Sequence, residues 1–225
     1  MRWLCLHGRG TSAQIFEMQT ARIRQALGPD HDFVFVNGTV ATEPDAGAAD
    51  VASEFFGYLT DGIHGAGRQN YLELWHGLAD VVASQGPFDG LMGFSEGGTV
   101  AAMMLVGGAR HGSGSSFSGF KCAVLFSAAA PADPDVVDTG VVRRLDAADD
   151  GALVKIPTAH LWSRHCAPGE SQVHQALAQL CEADVRQVCL HGLAHDVPGS
   201  KPGDDEGLQG VLKAIERTIE SADCA

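Results

Sequence analysis

Gly93-Phe94-Ser95-Glu96-Gly97 sets a serine in a G-x-S-x-G frame. An alcohol is hardly ionised at neutral pH, so a serine becomes a nucleophile only where a base takes its proton. Flanking glycines let the chain turn sharply at the end of a strand, and the turn leaves Oγ exposed at the sheet edge. Among ten histidines, His195 in VCLHGLAHDVPG has the position of such a base, in a loop after the last apolar run and downstream of the serine. His191 is its rival, but it falls at the end of that run and is less free to swing over a serine. Acyl transfer also needs backbone N–H donors for the developing oxyanion. The HGRG loop after the first apolar run offers them, so the expected donors are the amides of Arg9, or its loop neighbours, and Glu96. A second knot, PTAHLWSRHCAPGE, gathers His160, His165, Cys166 and Glu170. Its H-x4-H-C spacing matches no common zinc pattern, so no metal and no cofactor is expected.

Six short apolar runs must carry these loops: RWLCL, FVFV, GLMGFS, KCAVLFSAAAP, IPTAHLW and VRQVCLHG read as strands. Helical spacing lies between them, over Ser12 to Leu27, Tyr71 to Val82, EGGTVAAMMLV, about Glu170 to Leu180, and LQGVLKAIERTIES. Strands alternating with helices of this length imply an α/β fold, a mostly parallel sheet covered on both faces. HGRG, GFSEG and GLAHDVP each follow a strand, so all three fall at one edge of that sheet. GARHGSGSSFSG reads as a surface loop. Over about 39–70 the pattern weakens into a variable, lid-like segment. Phe55, Phe56, Tyr58, Leu59, Tyr71 and Trp75 in and near it offer a wall for an acyl chain, and the same spacing also fits core packing.

With 225 residues, 45% apolar and 19% charged, one domain spanning 1–225 is expected. A formal charge of −13, from 15 basic and 28 acidic residues, argues against a nucleic-acid partner. The start MRWLCLHGRG is too short for a signal-peptide apolar region or a membrane span. Six scattered cysteines with no C-x-x-C pair fit a reducing compartment. A cytoplasmic protein without a membrane partner is therefore expected.

LCLHGRGTSAQIFEMQ, QGPFDGLMGFSEGG, IPTAHLW and HGLAHDVP together resemble the fungal serine hydrolase family of α/β-hydrolases, which includes the lovastatin-type thioesterases that release polyketides. The resemblance runs over nearly the whole chain. It implies an α/β-hydrolase fold, a nucleophile at Ser95, a base at His195 and oxyanion donors near Arg9 and Glu96. It also implies an acyl ester or thioester substrate, plausibly a polyketide on a carrier-protein domain. The family's third triad member is an Asp in a pattern like H-x-x-G-x-x-D, which here reads from His160 to Cys166, with Ser163 at the Gly position and Cys166 at the acid position. Three outcomes follow. Cys166 orients His195 as a weak substitute; or a carboxylate such as Asp133, Asp135 or Glu170 reaches it; or hydrolysis has given way to acyl transfer, cyclisation or non-catalytic acyl binding.

Overall fold

A strand buried on both faces needs apolar side chains at every position, because successive residues point to opposite sides of the sheet. β5 (Gly90–Phe94) and β6 (Cys122–Phe126) are buried along their whole length, and β1 (Arg2–Leu6) is buried from Trp3 onward. Leu4, Leu6, Leu91, Ala123 and Leu125 join one core, while Trp3, Cys5, Met92, Val124 and Phe126 join the other. In the computed structural model, which describes all residues except 47, 63–66, 138, 140, 168, 202 and 225, these strands are joined by β2 (Asp32–Val36), β7 (Thr158–Ser163) and β8 (Arg186–His191). The order is β2-β1-β5-β6-β7-β8, parallel throughout.

One core lies beneath α3 (Arg68–Gln85), α4 (Glu96–His111) and α7 (Glu170–Gln179). The other lies beneath α1 (Ala13–Gln19), α2 (Ala21–Leu27) and α8 (Asp205–Asp223). Two short helices, α5 (Pro134–Val137) and α6 (Ala147–Asp150), sit in the acidic stretch between β6 and β7. After β1 the chain goes outward to β2 and then returns past β1 to β5. That reversal makes the carboxyl ends of β1 and β5 the point where a crevice opens.

Two helices differ from their sequence reading. The expected single helix from Ser12 to Leu27 is broken at Thr20, whose hydroxyl donates to the Phe16 carbonyl at 2.8 Å. Ser12 caps α1 by accepting from the Ile15 amide, as a serine before a helix does. α4 continues through Gly107 and the whole of GARH to His111 before a 3₁₀ turn at Gly112–Gly114. Within the variable segment, β3 (Val40–Ala41) pairs antiparallel with β4 (Phe56–Gly57), and Phe56 bridges to Thr11 beside the first loop. No helix among the described residues is long and apolar enough to cross a membrane.

Candidate active site

Ser95 sits between β5 and α4 with φ 53 and ψ −116, a left-handed conformation for a non-glycine residue. Holding a side chain there costs on the order of 1–3 kcal/mol and persists only where the surroundings enforce it. The Ser95 amide donates to Phe126 O at 2.8 Å, which extends the β5–β6 ladder into the turn. A Cβ on Gly97 would stand 2.3 Å from His7 O and 2.4 Å from Leu6 O. Only glycine lets the first turn of α4 press against the end of β1, and that contact aims Ser95 outward.

His195 Nε2 lies 3.0 Å from Ser95 Oγ, the separation at which an imidazole takes a hydroxyl proton. The His195 ring packs against Phe94, centroids 5.0 Å apart and tilted 40°. Phe94 is itself buried, so the residue before the nucleophile also steadies the base. The rival His191 is buried, and neither of its ring nitrogens has a hydrogen-bond partner among the described residues. Burial pushes its pKa down to about 4, so it stays neutral behind the site.

At the carboxyl end of β1 the HGRG loop is fixed by its histidine. His7 Nδ1 lies 2.7 Å from Gly8 O and its Nε2 accepts from the Gly38 amide at 3.0 Å. Burial lowers the His7 pKa to about 4, which keeps the ring neutral and able to hold both bonds. The Gly10 amide is taken by Phe56 O at 3.0 Å, whereas the Arg9 amide has no acceptor among the described residues. The Glu96 amide, in the first turn of α4, likewise has no intrahelical acceptor. Among the described residues neither amide named from the sequence has an acceptor, and the positive end of the α4 dipole lies beside them.

The third position differs. The Cys166 thiol donates to the Ser163 carbonyl at 2.6 Å, and His195 Nδ1 has no hydrogen-bond partner among the described residues. Burial, with Glu170 adding to it, raises the Cys166 pKa and disfavours the thiolate, the form that would accept best. The carboxylates weighed as substitutes are engaged elsewhere. Asp133 is buried between Arg110 and Arg143, Asp135 pairs with Arg110 and His111, and Glu170 accepts from the Ala167 amide at 2.9 Å. His165 donates its amide to Ser163 Oγ, and His160 is buried within β7 against Thr158 Oγ1. Among the described residues no group of three or more His, Cys, Asp or Glu converges as a metal site would.

The aromatic wall also resolves into packing. Tyr58, Leu59 and Tyr71 belong to the core around Leu4 and Met104. Trp75 stands edge-on to Phe117, centroids 4.6 Å apart, and Phe56 lines a separate polar cleft with Ser12 and Asn37. A cleft of about 400 Å³ instead opens at His195, lined by Ile15, Met18, Val51 and Phe94, with Asp196 and Lys201 paired in its wall. Its residues come from four separated stretches of the chain, and those around Met18 and Val51 carry no local signal, so the sequence could not assemble it.

A parallel sheet with helices on both faces, a strained serine between strand and helix, and a histidine from the last loop define an α/β-hydrolase site. The chain belongs to the FSH1 serine hydrolase family, whose model matches residues 1–206. Esterase FPY3 of Fusarium mangiferae is 30% identical over 227 residues, covering 99% of this chain and 98% of that protein. Hydrolase phiM of Talaromyces stipitatus is 26% identical over 232 residues, 96% of this chain and 87% of that protein. Among solved structures, Zea mays acyl-protein thioesterase 2 superposes with a TM-score of 0.59 at 14% identity, over 97% of this chain and 93% of that one. Esterase PE8 does so with a TM-score of 0.56 at 13% identity, over 96% and 92%. At these identities the superpositions speak for the fold.

Proposed function

We propose that this hydrolase cleaves acyl esters or thioesters through a Ser95 acyl-enzyme, and that it does so with slow deacylation. The observation that carries the first part is the 3.0 Å approach of His195 Nε2 to the Oγ of a serine held in an elbow. His195 takes the Oγ proton as Oγ attacks the carbonyl carbon. The oxyanion of the tetrahedral intermediate receives the Arg9 and Glu96 amides. His195⁺ then protonates the departing alkoxide or thiolate, and the same base activates water against the acyl-enzyme.

Slow deacylation is favoured by a second observation, that His195 Nδ1 has no partner among the described residues. An acceptor there fixes the tautomer and stabilises the imidazolium. Without it, a strong nucleophile such as an alcohol or an internal hydroxyl competes better with water, so acyl transfer or cyclisation stands beside hydrolysis. The names esterase and hydrolase carried by fungal relatives agree with ester chemistry. A polyketide acyl chain is the finer expectation from the family. The net charge of −13 works against docking an acidic carrier domain, so a free acyl ester or thioester is the proposed substrate ahead of a carrier-bound one.

A fluorophosphonate probe is expected to label wild type and leave Ser95→Ala unmarked, and short and medium acyl thioesters are expected to give a burst of thiol followed by slow turnover. No labelling after long exposure would exclude the Ser95 enzyme and leave a non-catalytic acyl-binding module. Steady release without a burst would remove the slow-deacylation part alone.

A further inference from the structure

We propose that the Arg9–Glu96 ion pair sets the geometry of the oxyanion site, tying its two backbone donors to each other and to the 57–60 segment. The inference rests on the Ser95 reading above. Arg9 and Glu96 each lie three residues past the last paired positions of the β1–β5 ladder, Leu6 and Gly93. The ladder ends before them, and the Gly97 contact and the His7 bonds hold the backbone next to each, which leaves the last adjustment of their separation open, yet an oxyanion needs both donors within about 2.7–3.1 Å of one point.

The side chains of the same two residues close that freedom. Arg9 Nη1 stands 3.3 Å from Glu96 Oε1, and Glu96 Oε2 accepts the Tyr58 amide at 2.8 Å. The same Nη1 donates to Leu59 O at 2.5 Å, and Nη2 donates to Thr60 O at 2.9 Å. A Cβ on Gly57 would come 2.9 Å from Glu96 Oε2 and 3.0 Å from Arg9 Nη1, so an alanine there would push the charged ends of this pair out of place. The Glu96 side chain is 3% exposed. The Arg9 side chain is 38% exposed, so the attraction between the two charges is partly screened by water and adds little stability, which makes geometry the more telling use of this pair. Arg9 also neutralises a carboxylate that would otherwise repel the oxyanion forming beside it. Arg9 and Glu96 thus act as positioning residues through their side chains, in addition to offering their amides.

Steady-state turnover of p-nitrophenyl butyrate by wild type, Arg9→Met, Glu96→Gln, the double variant and Gly57→Ala tests this. Arg9→Met is expected to lower kcat by roughly 100-fold, the loss that a displacement of about 1 Å at a reacting centre produces, with KM within about twofold of wild type. Gly57→Ala is expected to lower kcat in the same sense while changing no charge. The double variant is expected to recover part of the Arg9→Met loss, because it removes the carboxylate that Arg9→Met leaves unpaired. Wild-type kcat in both Arg9→Met and Gly57→Ala overturns the proposal. So does a loss confined to KM, or one that tracks loss of folded protein by circular dichroism. Absence of any Ser95-dependent turnover in wild type removes the underlying reading, and this inference with it.

Discussion

An imidazole that takes a proton from serine becomes a cation, and its second nitrogen must then donate to something. In this hydrolase His195 is exposed and its Nδ1 meets no protein group among the described residues, so no side chain is placed to be that acceptor. Phe94 restrains the ring by contact but offers no charge. Cys166 stands at the position that the resemblance assigns to the triad acid, so Cys166→Asp is expected to supply the missing acceptor. Deacylation of a Ser95 acyl-enzyme should then quicken by at least about tenfold, a fraction of what a triad acid contributes elsewhere. Rapid-quench mass measurement of the covalent adduct would register this as a shorter acyl-enzyme lifetime. An unchanged lifetime would mean that the loop after β7 no longer points at the base. At this scale Ser95 and His195 were legible because the motif and chain order name them. The fate of Asp133 and Asp135 was hidden, because their partners Arg110 and Arg143 come from other stretches of the chain.

α4 is the element on which the site depends, since its first residue follows the nucleophile and its buried length runs from Glu96 to Gly108. The contact of Gly97 with the carbonyls of Leu6 and His7 is backbone against backbone, so it cannot relax by a rotamer change. Gly97→Ala is therefore expected to cost about 1–3 kcal/mol or more as overpacking and to abolish Ser95 labelling by displacing the elbow. Urea melts with parallel labelling would check both, and wild-type stability with full labelling would contradict the packing argument. Strands were readable from sequence because burial on both faces forces continuous apolar runs, as in RWLCL and CAVLF. Helix limits were less so. Thr20 interrupts a continuous apolar period by bonding backward to its own helix, and α4 runs on through GARH because packing of Gly107 and Gly108 against Trp75 and Phe117 outweighs glycine's low helix propensity. Tyr58, Leu59 and Tyr71 show the opposite limit, since residues of one composition line a channel or fill a core according to what the fold lays on them.

Across the whole molecule, acid stability follows from three imidazoles buried in separate places. His7 lies under the first loop, His160 within β7 and His191 at the end of β8, all almost wholly buried. Burial lowers their pKa values from 6.5 to about 4, about 3 and about 4, respectively. Between those values and 6.5 the unfolded chain binds more protons than the folded one, so stability rises with pH there and is lost as the solution is acidified. At pH 5 each unfolded imidazole protonated from 6.5 draws the equilibrium toward unfolding by about 2 kcal/mol. Glu96 works the other way, because burial raises its pKa and the folded state then holds the extra proton. One carboxyl does not offset three imidazoles. The formal charge of −13 does not reverse the sign either, since most carboxylates remain ionised at pH 5 and their mutual repulsion changes little. Urea unfolding at pH 7 and pH 5 is thus expected to show a midpoint shifted downward at the lower pH, with a free-energy loss of several kcal/mol and an unchanged slope. Equal midpoints at the two pH values would mean that these imidazoles gain protons inside the fold, and that the neutral His7 that holds the HGRG loop is not the form present at pH 5.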